Sequence, residues 1–323
     1  MKYRTLGKPG IEVSEIVFGA GAVGGLLIRA DPATRVEAVR RALDHGVNWI
    51  DTAPSYGDGQ SEENLGAILK ELGATPYLST KVAVRPPHLA DIRGEVQRSM
   101  EASLGRLGRD SVDLITLHTS VTEERGGRPG SLSVEDVLGD GGVVDAFERL
   151  REQGLTRFFG FTAGGEADSL HRLIESGRFH AAQVFHSLVN PSAGRNLPPG
   201  FSGDDYKNLI GAAAEHDVGV FNIRVLAAGA VVGPEAAGRG EATPGISVEE
   251  ALERMSKVRD VLEGEEGTVV QKAVRFALTN RGISGVLVGF STLEHIDEAV
   301  ASVDMGDISP VALGELDALF ANF

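Results

Sequence analysis

Along the chain, short apolar runs alternate with longer stretches in which apolar residues return every three or four positions. The first run, Ile16-Val17-Phe18, breaks into Gly19-Ala20-Gly21-Ala22. A run apolar on both faces suits a parallel strand buried from both sides. Ahead of it, 2–6 and 11–14 read as two short strands around Lys8-Pro9-Gly10, a hairpin preceding the main fold. Behind it, Asp31-Pro32 supplies a cap and a first-position proline for a helix. Val36, Val39 and Leu43 keep helical spacing there until Gly46 stops the helix.

The alternation then repeats. Strand 47–50 leads into a helix that Ser61 caps, carrying Leu65, Ile68, Leu69 and Leu72 and ended by Gly73. Strand 77–80 precedes helix 90–107. Strand 112–117 is followed by a loop, 119–142, rich in glycine and charge, and then by helix 143–153, closed by Gly154. A connection that long is usually functional or mobile. Strand 158–161 precedes helix 167–176, and strand 181–185 precedes a helical 206–216. Strand 219–223 leads through an extra helix, 247–262, to helix 268–279. Strand 286–288 and helix 292–301 complete the series, and 310–323 reads as a terminal helix on the outside.

Eight strand-then-helix units without a composition break predict an α/β fold, a (β/α)8 TIM barrel filling 1–323 as one domain. The N-terminal β-hairpin and the extra helices are additions to it. The competing layout is an open doubly wound sheet, for which Gly19-x-Gly21-x-x-Gly24 after the first strand is the cue. With 42 glycines in the chain that spacing is weak evidence. Asp51, past the second strand, does not exclude the open sheet. The count of eight and the polar strand ends favour the barrel.

Composition narrows the class. The 323 residues are 42% hydrophobic and 24% charged, enough for a large core and against global disorder. A net charge of −15 argues against a nucleic-acid footprint and against anionic membranes. There is no cysteine, which removes disulfides and thiolate metal sites. The nearest approach to a membrane span, 16–28, is Gly-rich and too short. These features together read as a cytoplasmic protein.

The candidate chemistry lies where strands end on polar residues. In a barrel all C-terminal strand ends open onto one face. Asp51, Lys81 and His118 terminate the second, third and fourth strands, and Tyr56 lies on the loop after the second. Singly each has an ordinary explanation: a turn or helix cap, a rim charge, a hydrogen-bonded core histidine, a surface-packed phenol. Four on adjacent strands are harder to dismiss, because buried polar groups are costly unless they are used. Their chemistry also fits together. A phenol of pKa about 10 is a poor acid at neutral pH, and a nearby ammonium eases its ionisation. Asp51 would hold Lys81 charged and oriented, and His118 would orient a substrate oxygen or share its proton. The set suits proton transfer to a carbonyl oxygen.

Over essentially its whole length the chain resembles the aldo-keto reductases. The motifs are Tyr3-Arg4-x-Leu6-Gly7 through Val13-Ser14, Asp51-Thr52-Ala53-x-x-Tyr56-Gly57 and Ser61-Glu62-x-x-Leu65-Gly66, with Lys81 and His118 where the family's other two catalytic residues are expected. The resemblance implies a nicotinamide cofactor laid across the strand ends and hydride transfer to a carbonyl carbon, with Tyr56 as general acid/base. The partner is then a small-molecule carbonyl or alcohol. A cofactor-binding regulatory subunit with little turnover is the rival reading within the family, and a barrel isomerase without nicotinamide the rival outside it.

The cofactor half departs further from the family pattern. Gly160-Phe161-Thr162-Ala163 replaces Gly-x-Ser-Asn, keeping a hydroxyl at Thr162 and losing a carboxamide at Ala163. Gln183, read as the end of the sixth strand, is retained for the nicotinamide amide. Ile223-Arg224-Val225-Leu226 replaces Tyr-Ser-Pro-Leu, so an aliphatic face takes over from an aromatic one, and Arg224 is offered to the pyrophosphate. The resemblance also implies cofactor contacts at Gly21, Leu226 and Gly229, and at Gly289, Ser291, His295 and Glu298 on the adenosine side. That last segment lacks the usual Lys or Arg, although a hydroxyl and a helix N-terminus can bind phosphate. NADP(H) is slightly favoured, with NAD(H) the competitor. Loops 20–28, 119–142 and 190–203 are expected to shape the substrate pocket.

Overall fold

The computed structural model describes residues 1–21 and 23–323; Ala22, in the glycine-rich run after the first strand, lies outside them. The hairpin forms as the alternation implies, Tyr3–Leu6 pairing antiparallel with Ile11–Ser14. Eight parallel strands then follow: β1 (Ile16–Gly19), β2 (Trp49–Asp51), β3 (Tyr77–Val82), β4 (Val112–Leu117), β5 (Thr156–Thr162), β6 (Ala181–Phe185), β7 (Gly219–Ile223) and β8 (Gly285–Gly289). Each pairs with the next and β8 pairs with β1, which closes the barrel. The open doubly wound sheet is thereby excluded. Gly19 and Gly24 serve the closure instead, since a Cβ at either would strike residues of the β8 segment between Leu287 and Phe290.

The strands separate two apolar layers by their two-residue alternation. Outward residues such as Phe18, Ile50, Ile115 and Phe161 join a large core against the helices. Inward residues Val17, Trp49, Leu114, Ala181 and Phe221 form a second cluster along the axis, together with Leu6 and Val13 of the hairpin. The hairpin therefore plugs the N-terminal mouth. Trp49 is fully buried there, with its ring centroid 4.9 Å from that of Phe221 and 5.5 Å from that of Tyr77. Truncating such a residue to alanine costs about 3–5 kcal/mol.

Eight helices form the outer ring: α1 (Pro32–Asp44), α2 (Gln60–Leu72), α3 (Ile92–Leu107), α4 (Val143–Glu152), α5 (Ala167–Glu175), α6 (Leu209–Glu215), α7 (Val269–Thr279) and α8 (Glu294–Ala301). Asp31 caps α1 through the Thr34 N–H, as its place before Pro32 implies. Three local readings need correction. Ser61 is not the cap of α2. Gly59, at φ 91°, takes that position, and Ser61 lies inside the first turn. The helical stretch 206–216 shrinks to α6, because Lys207 and Asn208 hold positive φ and delay its start. Loop 119–142 is ordered: Val121–Thr122 pairs with Leu132–Ser133, and Ser133 opens a short helix, Val134–Leu138, with a capping box.

The extra helices Val248–Val261 and Pro310–Phe320 pack against each other outside the ring. Arg254, nearly buried, donates from there to the Val189 and Ser202 carbonyls at 2.7 Å each. It pins the long connection after β6 over one side of the C-terminal mouth.

Candidate active site

The inward alternation that places Trp49 in the apolar plug places Asp51, two residues on, one layer higher. The same step carries β3 from Tyr77 through Ser79 to Lys81, and β4 from Leu114 through Thr116 to His118. Hydrophobic plug thus gives way to a polar layer at the C-terminal strand ends. Asp51 and Ser79 are register partners across β2 and β3.

Asp51 and Lys81 form an ion pair in which each side chain is 2% exposed. The Lys81 ammonium also donates to the Thr52 carbonyl at 2.8 Å. Asp51 Oδ1 accepts from the Ser79 hydroxyl at 2.7 Å and from the Gln183 amide at 2.6 Å. Lys81 is further seated over the Tyr56 ring, 4.8 Å from its centroid. Burial disfavours the ammonium, but the adjoining Asp51 carboxylate and Tyr56 oxygen outweigh it and raise the Lys81 pKa. His118 meets Tyr56 edge-on, with ring centroids 6.1 Å apart. Burial, reinforced by the Lys81 charge, lowers the His118 pKa to about 4, so its ring is neutral at pH 7. The structure therefore brings together all four residues singled out at the strand ends.

Local backbone explains the position of the phenol. Gly57, Asp58 and Gly59 are consecutive left-handed residues, which turn the loop sharply behind Tyr56. The Ser61 hydroxyl, freed from capping, donates to the Ala20 carbonyl at 2.9 Å and bonds the Thr52 hydroxyl at 2.8 Å. That ties the ends of β1 and β2 to α2. Glu62, fully buried, accepts from Thr80 on β3 at 2.5 Å and from Arg106 on α3 at 2.7 Å. Ser79 and Glu62 were not singled out as site residues, and only their cross-strand and cross-helix partners show what they hold.

The proposed cofactor residues are more scattered. Gln183 is the third of the five β6 residues rather than its end, and its amide N–H is committed to Asp51. Thr162, its register partner on β5, is buried with a hydroxyl that has no partner among the described residues. Such an orphan suits the hydrogen bond a carboxamide requires, so this part of the mouth fits a nicotinamide. A Cβ at Gly21 would lie 3.5 Å from two ring carbons of Tyr56, so this glycine borders the phenol. Arg224 is exposed, at φ 57°, and donates to the Ala242 carbonyl at 3.3 Å. Leu226 packs partly into the core, and Gly229 continues a positive-φ run with Ala227 and Ala228. Gly289 ends β8 against the Gly24 backbone. Ser291 and His295 are exposed beyond it, while Glu298 accepts from the Thr268 hydroxyl at 2.6 Å. Nearby, Arg41 and His45 both face Asp297, at 3.1 and 2.9 Å.

Fold and site together define a (β/α)8 barrel with Asp51, Tyr56, Lys81 and His118 clustered at its C-terminal mouth. The chain belongs to the aldo/keto reductase family, whose model matches residues 15–320. It is 28% identical to an L-galactose dehydrogenase of Arabidopsis thaliana over 307 residues, 94% of this chain and 88% of that one. It is also 26% identical to a probable voltage-gated potassium channel subunit beta of the same plant, over 98% of this chain and 96% of that one. Among solved structures, the holo form of an aldo-keto reductase from Bacillus halodurans superposes with a TM-score of 0.74 at 20% identity, covering 100% of this chain and 96% of that one. An aldo-keto reductase from Klebsiella pneumoniae in complex with NADPH gives 0.69 at 22% identity, covering 99% and 96%. Among the described residues, no helix is long and apolar enough to cross a membrane.

Proposed function

We propose that the protein is an NAD(P)-dependent oxidoreductase that interconverts a carbonyl, on an aldehyde, ketone or sugar, with its alcohol. The observation that carries this reading is the buried Lys81 ammonium held between the Asp51 carboxylate and the Tyr56 ring. In reduction, Tyr56 donates its phenolic proton to the carbonyl oxygen, and Lys81 stabilises the phenolate left behind. In oxidation, the phenolate takes the proton back. Asp51 keeps Lys81 charged and oriented. His118, neutral at pH 7, offers a ring nitrogen to the substrate oxygen without competing for its proton. A bound nicotinamide supplies or accepts the hydride at the carbonyl carbon.

Thr162 and the part of Gln183 not given to Asp51 would hold the carboxamide, and Leu226 would present an aliphatic face to the ring. Gly21 leaves room beside the phenol. Gly229 and Arg224 would lie along the pyrophosphate, and Gly289, Ser291, His295 and Glu298 along the adenosine end. NADP(H) is slightly favoured, a choice supported by the NADPH complex of the Klebsiella protein. The carboxylates around His295 keep NAD(H) in contention, since they oppose an added phosphate. The L-galactose dehydrogenase likeness supports a sugar among the substrates.

The second reading, a cofactor-binding regulatory subunit with little turnover, is supported by the likeness to the channel subunit. Separate titrations with NADPH and NADH, followed by turnover on a panel of aldehydes, ketones and aldoses, decide between them. Cofactor binding with turnover is the expected result. Tight binding with no turnover on any member supports the subunit, and no binding of either cofactor refutes both.

A further inference from the structure

A hydrogen-bond chain enters the polar layer from below. The Trp49 indole N–H donates to the Ser79 hydroxyl at 3.0 Å, and that hydroxyl donates to Asp51 Oδ1 at 2.7 Å. Lys81 engages the other oxygen of the same carboxylate. As whole residues, Trp49, Ser79 and Asp51 are each at most 1% exposed. The indole is held between Tyr77 and Phe221, so the donor at the start of the chain is fixed by the apolar plug. The titratable groups around the Asp51–Lys81 pair are His118 after β4, which feels the Asp51 charge, and Tyr56 on the loop after β2, whose ring lies under the Lys81 ammonium. Gln183, from β6, is neutral.

We propose that Ser79 and Trp49 are positioning residues for proton transfer, acting through Asp51 on Lys81 and Tyr56. This rests on the reading of Tyr56 as the general acid/base. Two effects follow from the geometry. A donor on Oδ1 fixes the rotation of the carboxylate, and with it the side of the pocket from which Oδ2 meets Lys81. A donor also disperses the carboxylate charge, and the indole strengthens it by polarising the hydroxyl. Without the Ser79 hydroxyl, Gln183 alone donates to Oδ1, and more negative charge acts at Lys81 and, beyond it, at Tyr56. Ionisation of the phenol is then opposed.

The test is a pH titration of the phenolate absorbance present in the wild type and absent from Tyr56→Phe, which needs no substrate. Ser79→Ala is expected to move its midpoint upward by about half a pH unit or more. Trp49→Phe, which keeps an aromatic plug but removes the N–H, moves it the same way by less. The double variant moves it no further than Ser79→Ala alone, because the indole then has nothing to relay. Tm is measured alongside. Variants that lose stability but leave the midpoint unchanged overturn the proposal, as does a double variant whose shifts simply add. Should Ser79→Ala fail to fold, Trp49→Phe decides: an unmoved midpoint overturns the chain. Turnover of 4-nitrobenzaldehyde by Tyr56→Phe is run separately. If it stays near wild type, the general-acid reading fails, whatever the midpoints show.

Discussion

Lys81→Met is the perturbation whose consequence follows most directly from the burial of the pair. The substitution removes an ammonium whose side chain is 2% exposed and leaves the Asp51 carboxylate, equally buried, without its counter-charge. Ser79 and Gln183 still donate to one carboxylate oxygen, at 2.7 and 2.6 Å. The other oxygen loses its donor, and the Thr52 carbonyl loses one as well. Breaking a buried pair from one side costs about 3–5 kcal/mol, because the remaining charge is uncompensated. At about 2–3 °C per kcal/mol for a chain of this size, Tm is expected to fall by about 6–15 °C. The sign of the pH dependence is a second check. In the variant, desolvation favours the neutral carboxyl in the folded state, so protonation relieves the penalty. The deficit against wild type should therefore be largest at neutral pH and narrow as pH falls toward the ordinary carboxylate value of about 4. Asp51→Asn combined with Lys81→Met should cost less than the sum of the single changes. Calorimetric or fluorescence-monitored melts between pH 5 and 8, about one to four units above the ordinary carboxylate pKa, supply the data. A Lys81→Met protein as stable as wild type at every pH would refute the buried-pair account.

His118 supplies a different pH signature. Its folded pKa of about 4 lies below the ordinary 6.5, so the unfolded state binds protons first. Stability should fall as pH drops through that interval, and less steeply in His118→Gln; equal slopes in melts of the two proteins would contradict the assignment. His186, buried on Phe276 with its pKa lowered to about 3, adds to the decline in both proteins. Gly21→Ala would bring a methyl to ordinary contact distance, 3.5 Å, from the Tyr56 ring. Tm should be unchanged while KM for a bulky ketone rises severalfold; an unchanged KM would remove Gly21 from the mouth.

The fold was legible because strands buried on both faces read as apolar runs, and helices between them kept a 3.6-residue rhythm. The four pocket residues were legible for a related reason: a charge at the end of such a run contradicts its surroundings. Ser79 gave no such sign, since a serine inside a strand is unremarkable until its register partner is known to be Asp51. Gln183 was visible, but not its partner, which lies 132 positions away across the barrel. Ser61 has the residue type of a cap, but the left-handed turn at Gly59 that does cap the helix is a backbone property with no such signature. Loop 119–142, ordered by its strand pairing and short capped helix, also carries ion pairs from Arg125 to Asp136 and from Arg128 to Asp204. The second of these spans two loops and has no local spacing to announce it.

The general-acid role of Tyr56 is tested most directly by Tyr56→Phe, assayed for turnover beside a titration of cofactor affinity. The substitution keeps the ring that Lys81 and His118 face and removes only the hydroxyl. The account predicts that kcat for carbonyl reduction falls by about 100-fold or more while cofactor Kd stays within about twofold of wild type. Turnover near the wild-type rate with unchanged cofactor binding would contradict it.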